Sequence, residues 1–221
     1  MTKYILAIVC LFLAITAMAQ NGHTNKSTII ITGGVAIPGS EFADATGIDV
    51  KDYVDRGLFT SVSFKRDISR YFAAGFTGGF AKNELNEKAI AEASSTRIET
   101  VPWTSTFVVT DFYAQLPLRK WKVYLRGSVG AMFPNDWEFY AEQDGSNGVM
   151  IKGTTNTTDA IKPALLGGIG LSYNLNRFVI GIESGVLAYK PEFEIDLNGS
   201  PGSREEWIAT LNQTISLGYE F

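Results

Sequence analysis

The chain has 221 residues, of which 45% are apolar and 19% charged, with 22 glycines and a formal net charge of −4. This composition excludes a disordered chain, and the mild negative charge offers no basic surface for nucleic acid. The length suits one β-rich domain or one closed barrel.

The N-terminal segment has the organisation of a secretory signal peptide. A lysine precedes an apolar run over residues 4–15, and the small residues Ala17 and Ala19 come directly before Gln20. The run is shorter than the roughly 20 residues that a membrane-spanning helix needs. We therefore predict cleavage between Ala19 and Gln20. Cleavage removes Cys10, so no disulfide or thiol chemistry remains in the mature chain.

The sequence divides into a signal peptide at residues 1–19, a short polar tail at 20–26 and one domain at 27–221. Within the domain, eight stretches alternate apolar and polar side chains, which is typical of strands with two different faces. The predicted strands are Ser27–Ile37, Leu58–Lys65, Tyr71–Ala81, Trp103–Leu116, Trp121–Phe133, Pro163–Tyr173, Phe178–Tyr189 and Trp207–Phe221.

The connections between these strands alternate between long and short. Four connections are long and polar, and three short ones are predicted to be tight turns. Of the long ones, Pro134–Ile161 is predicted to be irregular, and Lys82–Pro102 has a pattern that fits a short helical turn around Leu85, Ala89 and Ile90. In an antiparallel meander this rhythm places every long connection on one rim and every short turn, with both termini, on the other. The long connections are Ser40–Arg56, Lys82–Pro102, Pro134–Ile161 and Lys190–Glu206, and the turns are Arg66–Arg70, Pro117–Lys120 and Asn174–Arg177.

The last predicted strand, Trp207–Phe221, shows its two faces most clearly. One face is apolar except for Gln213 and has aromatic residues at both ends, whereas the other carries mainly Gly, Ser, Thr and Asn. Aromatic residues at both ends of an apolar face are typical of strands that cross a lipid layer. Since eight strands leave an interior just wide enough for side chains, we predict that the face of small residues lines that interior. The alternative is a soluble periplasmic, lipocalin-like barrel with an apolar, ligand-binding interior.

These features resemble the small eight-stranded outer-membrane β-barrel proteins of Gram-negative bacteria, the porin-like kind that includes OmpX and the transmembrane domain of OmpA. The ending, with Ile215, Leu217, Tyr219 and Phe221 at alternate positions, is similar to the signal that the barrel-assembly machinery reads in that family. The resemblance implies an all-β, eight-stranded antiparallel up-and-down transmembrane β-barrel. It also implies insertion by that machinery into the cell outer membrane. We expect a monomeric barrel in outer-membrane lipid, without the peptidoglycan-binding domain of OmpA.

Ionisable residues on the small-residue face predict an ion-pair network in the lumen. A two-residue reversal at Leu118 and Arg119 would place Asp111 directly opposite Arg126, with Glu183 as a second acceptor for the forked guanidinium. Charges inside a membrane protein are acceptable where they face the interior and are paired. The predicted network consists of Lys65, Asp111, Lys122, Arg126 and Glu183.

Signals of catalysis are sparse. The single histidine, His23, lies in the polar tail, so a serine–histidine or lipid-deacylating site in the barrel wall would lack its base. We predict no catalytic residues, no cofactor and no metal site.

The expected function is structural or is a surface interaction through the four long connections, with an unknown extracellular or envelope partner. The alternatives are a narrow porin-like channel for ions or small solutes and, third, a lipid-modifying enzyme.

Overall fold

The computed structural model describes residues 26–39, 55–84, 96–100, 103–134, 137–143, 150–156, 161–190, 192–197, 200–205 and 207–221. The predicted signal peptide with its cleavage residues Ala17, Ala19 and Gln20 lies outside the described residues, as does His23.

The described residues form thirteen strands in two sheets. Eight strands close a barrel: β1 (Ser27–Pro38), β2 (Gly57–Asp67), β3 (Phe72–Asn83), β5 (Trp103–Leu118), β6 (Trp121–Pro134), β9 (Lys162–Leu175), β10 (Phe178–Tyr189) and β13 (Ile208–Glu220). The second sheet contains β4 (Thr96–Thr100), β7 (Trp137–Gln143), β8 (Met150–Asn156), β11 (Glu192–Leu197) and β12 (Ser200–Glu205).

The barrel is an antiparallel meander that closes on itself. Each barrel strand pairs with the barrel strands before and after it, and β1 pairs with β13 from Thr28 opposite Glu220 to Pro38 opposite Thr210. Closure leaves no unpaired strand edge, which a lipid environment would not tolerate. The predicted eight-stranded antiparallel up-and-down barrel is confirmed. We call its two ends the turn rim, where the three short turns lie, and the loop rim, where the four long connections lie.

The outer wall of the barrel is apolar. Ile215 and Phe76 are 67% and 61% exposed, whereas Thr77, the neighbour of Phe76, is fully buried in the lumen. The alternation therefore has the predicted orientation, with large apolar side chains outward. The lipocalin-like arrangement, with the apolar face inward, is wrong because of this exposure.

The hairpin between β5 and β6 turns one residue later than predicted. Leu118 pairs with Trp121, and Arg119 and Lys120 form the two-residue turn, with φ of 59° at Arg119. This turn keeps Leu118 and Trp121 as an exposed cross-strand pair on the outer wall. The register shifts by two residues, which leaves every side chain on its predicted face.

No strand was predicted in the long connections, and for three of them this is wrong. The short helical turn predicted around Leu85, Ala89 and Ile90 lies outside the described residues. The connection between β3 and β5 contains β4, that between β6 and β9 contains β7 and β8, and that between β10 and β13 contains β11 and β12. These strands pair in the order β12-β11-β8-β7-β4. The loop rim therefore leads into a second, open sheet, which we call the loop sheet.

Candidate functional site

The lumen has an apolar half towards the loop rim and a polar half towards the turn rim. The apolar half arises where inward positions near the loop ends of the strands carry large side chains. We call its seven largest members the apolar plug; they are Phe59, Phe107, Met132, Leu166, Leu187, Tyr189 and Ile208.

The apolar plug leaves almost no free volume. Phe107 stacks on Phe59 with ring centroids 5.5 Å apart, and both Phe107 and Met132 are fully buried. The Phe107 ring lies over Gly79, where a Cβ atom would come within 2.2 Å of Cζ. A cavity beside Met132 and Tyr189 measures about 10 Å³, which at most suits one water. The loop-side half of the lumen is therefore closed.

Arg126 is the centre of the polar half. Its Nε and Nη2 donate to Asp111 Oδ1 at 3.0 and 2.8 Å, and its Nη1 donates to Glu183 Oε1 at 3.2 Å. Arg126 and Asp111 are both buried, so little water screens their attraction. The structure thus brings together the three residues that the sequence analysis placed at the heart of the network.

The position of Arg126 on its strand differs from the prediction. Arg126 pairs directly with Tyr113, and Asp111 pairs with Ser128, because of the shifted turn. The expectation that Asp111 lies directly opposite Arg126 is therefore wrong. The guanidinium reaches Asp111 diagonally across the hairpin, a distance that a long side chain can span.

Two hydroxyl groups complete the coordination of Asp111, and the sequence analysis missed both. Thr77 Oγ1 donates to Asp111 Oδ2 and Ser128 Oγ donates to Asp111 Oδ1, each at 2.6 Å. Both carboxylate oxygens are thus satisfied inside the barrel. Their signal in the sequence is weak, since other barrel strands such as β2 and β13 also carry inward Ser or Thr without any contact to Asp111. We call Thr77, Asp111, Arg126, Ser128 and Glu183 the central network.

Lys65 and Lys122 belong to a separate group near the turn rim. Lys65 Nζ donates to Gln115 Oε1 at 2.9 Å, and Gln115 Nε2 donates to Asp67 Oδ1 at 3.1 Å. Lys122 Nζ donates to Asp67 Oδ2 at 3.3 Å. No direct bond between these lysines and the central network occurs among the described contacts. Lys65 instead lies 4.7 Å from the centre of the Tyr113 ring, a cation–π contact.

The charges in the polar half balance. A further ion pair, Lys26 with Glu220, lies where β1 meets the end of β13. Four cations therefore face four carboxylates in the described part of this half: Lys26, Lys65, Lys122 and Arg126, against Asp67, Asp111, Glu183 and Glu220. A balanced set leaves no net charge that would concentrate either anions or cations.

A small cavity separates Lys65 from Glu183. It measures about 50 Å³ and is lined mostly by charged, hydroxyl and tyrosine side chains of the polar half, together with Ile30, Val179 and Asn174. At about 10–15 Å³ for each water, it has room for about four waters. Water in this cavity can bridge charged groups that do not touch directly.

The C-terminal residues that resemble an assembly signal all lie on the outer wall. Ile215, Leu217, Tyr219 and Phe221 are exposed at alternate positions of β13 and just beyond it. Tyr219 also accepts a hydrogen bond from Arg177 Nη1 at 3.3 Å and packs edge-on against Phe178. This placement leaves the side chains accessible from outside the barrel. Their recognition by the assembly machinery stays a prediction.

Potential metal ligands do not cluster among the described residues. No group of three or more His, Cys, Asp or Glu that could hold a metal ion occurs there. In that same part of the chain, no helix is long and apolar enough to cross a membrane.

The closed antiparallel ladder, the apolar outer wall and the paired charges inside define a transmembrane β-barrel. No protein-family model and no curated protein matches the chain.

Among solved structures, the chain is similar to Neisserial surface protein A (TM-score 0.47, 10% identity, covering 89% of this chain and 97% of that one). It is also similar to a major outer membrane protein of Thermus thermophilus (TM-score 0.49, 13% identity, 90% and 100%). A third similar structure is the outer membrane protease OmpT of Escherichia coli (TM-score 0.46, 7% identity, 92% and 100%). The assignment as a transmembrane barrel rests on the barrel's own closure and outer wall.

Proposed function

We propose that this chain is a sealed, non-enzymatic outer-membrane barrel whose role is structural or is a surface interaction through the loop sheet. The observation that carries the proposal is the lumen, which is closed twice along its length. The apolar plug fills the loop side of the lumen. The central network crosses the middle of the lumen, and its charged side chains Asp111, Arg126 and Glu183 are paired.

The loop sheet supports the interaction role. Three of the four long connections contribute strands to one antiparallel sheet, so they form a single structured surface. Within the part of the chain that the structure describes, two of its strands, β4 and β12, are edges that pair on one side only. Exposed strand edges are where an extended segment of another protein can add by backbone hydrogen bonding. The partner would be an extracellular or envelope protein, and the barrel would act as a monomeric anchor in outer-membrane lipid.

Conductance tests the sealed lumen. Purified protein, folded in detergent and checked by the shift of its gel band on boiling, is added to a planar lipid bilayer. We expect no discrete current steps, because neither the plug nor the network leaves a continuous water path. Reproducible steps from the unaltered protein would support the narrow porin-like channel instead.

Removal of one hairpin tests the loop sheet. Residues 191–206, which include β11 and β12, are replaced by a short Gly-Ser turn, while the barrel strands stay intact. We expect the variant to keep its boiling-dependent gel shift and to lose crosslinks to neighbouring envelope proteins in whole cells. An unchanged crosslinking pattern would argue against the loop sheet as the interaction surface.

The narrow channel is the second candidate, and the turn-side cavity favours it. A cavity of about 50 Å³ with both polar and apolar lining already lies beside Lys65 and Glu183. A channel would require the apolar plug to open, which is why conductance of the unaltered protein decides between the two.

A further inference from the structure

The exposed side of the turn rim carries basic residues at each of its three short turns. Arg66 and Arg70 lie at the turn between β2 and β3, Arg119 and Lys120 form the turn between β5 and β6, and Arg177 lies between β9 and β10. All five side chains are exposed, and none of them forms an ion pair within the part of the chain that the structure describes. We call these five residues the basic rim.

The acidic residues of the chain lie elsewhere. Of the 23 acidic residues, 19 lie in the four long connections, together with 8 basic ones. The other four are Asp67, Asp111, Glu183 and Glu220, and each is paired with a cation of the polar half of the lumen. The carboxylates nearest the turn rim thus neutralise lysines inside the barrel. The basic rim receives no counter-charge from them.

The loop rim differs from the turn rim in this respect. Its exposed Lys82 pairs with Glu84, and Asp55 lies next to Arg56 in the chain. Both signs of charge are therefore present at the loop rim, whereas the exposed charges of the turns are all positive. Like charges on one rim repel each other, so an external anion that neutralises them stabilises the arrangement.

The basic rim borders the apolar outer wall. Arg66 occupies an outward position of β2, two residues from Phe64, which is 40% exposed on the same face. Arg177 Nη1 donates to the hydroxyl oxygen of the outward-facing Tyr219 at 3.3 Å, so this guanidinium is held beside the wall. A ligand that matches both features carries an anionic group at one end and an apolar body that continues along the wall.

We propose that the basic rim binds the phosphate groups of anionic phospholipids in the leaflet that the turn rim meets. Guanidinium groups bind phosphate oxygens through paired, charge-assisted hydrogen bonds, and basic residues are attracted to anionic lipid surfaces. The acyl chains of the same lipids then lie against the outer wall. This inference rests on the proposed placement of the barrel in a membrane.

The distribution of the basic rim favours lipid over an acidic protein. The three turns lie at every second junction of the closed barrel, so the basic residues are spread around its circumference. A protein bound at one side of the barrel would meet only part of them. A protein bound across the end of the barrel would leave the bordering outer wall without contact. Lipid surrounds the barrel and meets both.

Spin-labelled lipids test the proposal. The protein is folded into phosphatidylcholine vesicles that contain a trace of spin-labelled phosphatidylglycerol or of spin-labelled phosphatidylcholine. The electron paramagnetic resonance spectrum gives the fraction of each label that is immobilised at the barrel. At low salt we expect phosphatidylglycerol to associate about fivefold more tightly, the factor that one basic residue contributes near an anionic surface. At about 1 M salt, where the Debye length is about 3 Å, the preference should largely disappear.

A neutral variant locates the source of the preference. It combines Arg66→Gln, Arg70→Gln, Lys120→Gln and Arg177→Gln with Arg119→Asn, because asparagine tolerates the positive φ at that position. We expect its preference for phosphatidylglycerol to fall to about one. In the matched control, lysine replaces the four arginines. The charge is then unchanged, so most of the preference should remain.

The outcomes separate this proposal from the proposed function. If both labels are immobilised equally by the unaltered protein, the proposal is wrong, an acidic protein becomes the better occupant of the basic rim, and the barrel still lies in the membrane. A preference that persists in the neutral variant also overturns the proposal, because its source lies elsewhere. Absence of any immobilised label overturns the membrane placement itself.

Each variant first has to show the boiling-dependent gel shift. If the neutral variant does not fold, the double variant Arg66→Gln with Arg177→Gln replaces it, since these two residues border the outer wall most directly. We expect the double variant to lose part of the preference. An undiminished preference in it would contradict the proposal.

Discussion

Replacing Arg126 with alanine tests whether the central network stabilises the barrel. The substitution removes the three donors that reach Asp111 and Glu183. Asp111 keeps the hydroxyl donors Thr77 and Ser128, but its charge loses its only direct cationic partner among the described contacts. The result is a buried carboxylate without a counter-charge.

The expected loss of folding free energy is about 3–5 kcal/mol. Breaking a buried ion pair by removing one partner costs about this much, because the remaining charge stays desolvated. Glu183 is half-buried beside the cavity of about 50 Å³, so the loss of its hydrogen bond to Arg126 accounts for the smaller part of this free energy. Arg126→Lys is the matched variant: it keeps the charge but cannot donate to both carboxylates in fork geometry, so we expect an intermediate loss.

Unfolding in urea from detergent micelles, followed by the loss of the faster-migrating folded band on gels, measures the effect. Arg66→Ala serves as the control, because Arg66 is exposed near the turn rim, where substitutions change stability little. An Arg126→Ala midpoint equal to that of Arg66→Ala would refute the reasoning, since a buried and paired guanidinium cannot be removed without cost.

Three further predictions follow from the packing. Gly79→Ala should destabilise the barrel by about 1–3 kcal/mol, because the added Cβ atom would collide with the Phe107 ring. Gly127→Ala is the control and should leave the urea midpoint unchanged, because its Cβ atom meets open space. Phe107→Ala should cost about 3–5 kcal/mol in the same assay, yet the variant should remain closed in planar bilayers because the central network still crosses the lumen. Lys26→Ala should cost less than Arg126→Ala, because the Lys26 side chain is 50% exposed, although that of its partner Glu220 is only 10% exposed; an equal or larger shift in the urea midpoint would contradict this.

The barrel could be predicted because its walls separate two environments. Successive strand residues point to opposite sides, so lipid and lumen impose a period of two that is readable along β3 and β13. The long and short connections then set the order of the strands. None of this requires knowledge of any distant contact.

The apolar plug could not be predicted in the same way, because the alternation disappears near the loop rim. Phe107, Val108 and Val109 are all apolar, although the first and third are buried and the second is exposed. Where the lumen itself is apolar, both faces of a strand have the same chemistry. Residue type then says nothing about which face is inside.

The register between β5 and β6 was missed for a different reason. The pattern of faces is unchanged by a shift of two residues, so only the turn fixes the pairing. The structure places positive φ at Arg119, a conformation that is uncommon for residues other than glycine, asparagine and aspartate. Nothing in the local sequence favours that position over its neighbour.

The loop sheet was missed because its strands are short and lie within polar connections. The strand β11 does alternate, with Phe193, Ile195 and Leu197 between acidic residues, but six residues are few against a background of turn formers. Its pairing with β8 joins connections that are about 40 residues apart in the chain. Such partners are visible only once the barrel has brought the connections to one rim.

The two closures of the lumen differ in what they can specify. Apolar side chains such as Phe107, Met132 and Leu187 contact one another with little directional preference, so a shifted pairing would still bury most of them. The central network is directional, because Arg126 meets Asp111, Thr77 and Glu183 from three other strands at once. A slip of two residues between neighbouring strands keeps every face but separates some of these partners inside the barrel, where an unpaired buried charge is costly. The apolar plug therefore stabilises the barrel through buried apolar surface, whereas the central network favours a single register of the strands.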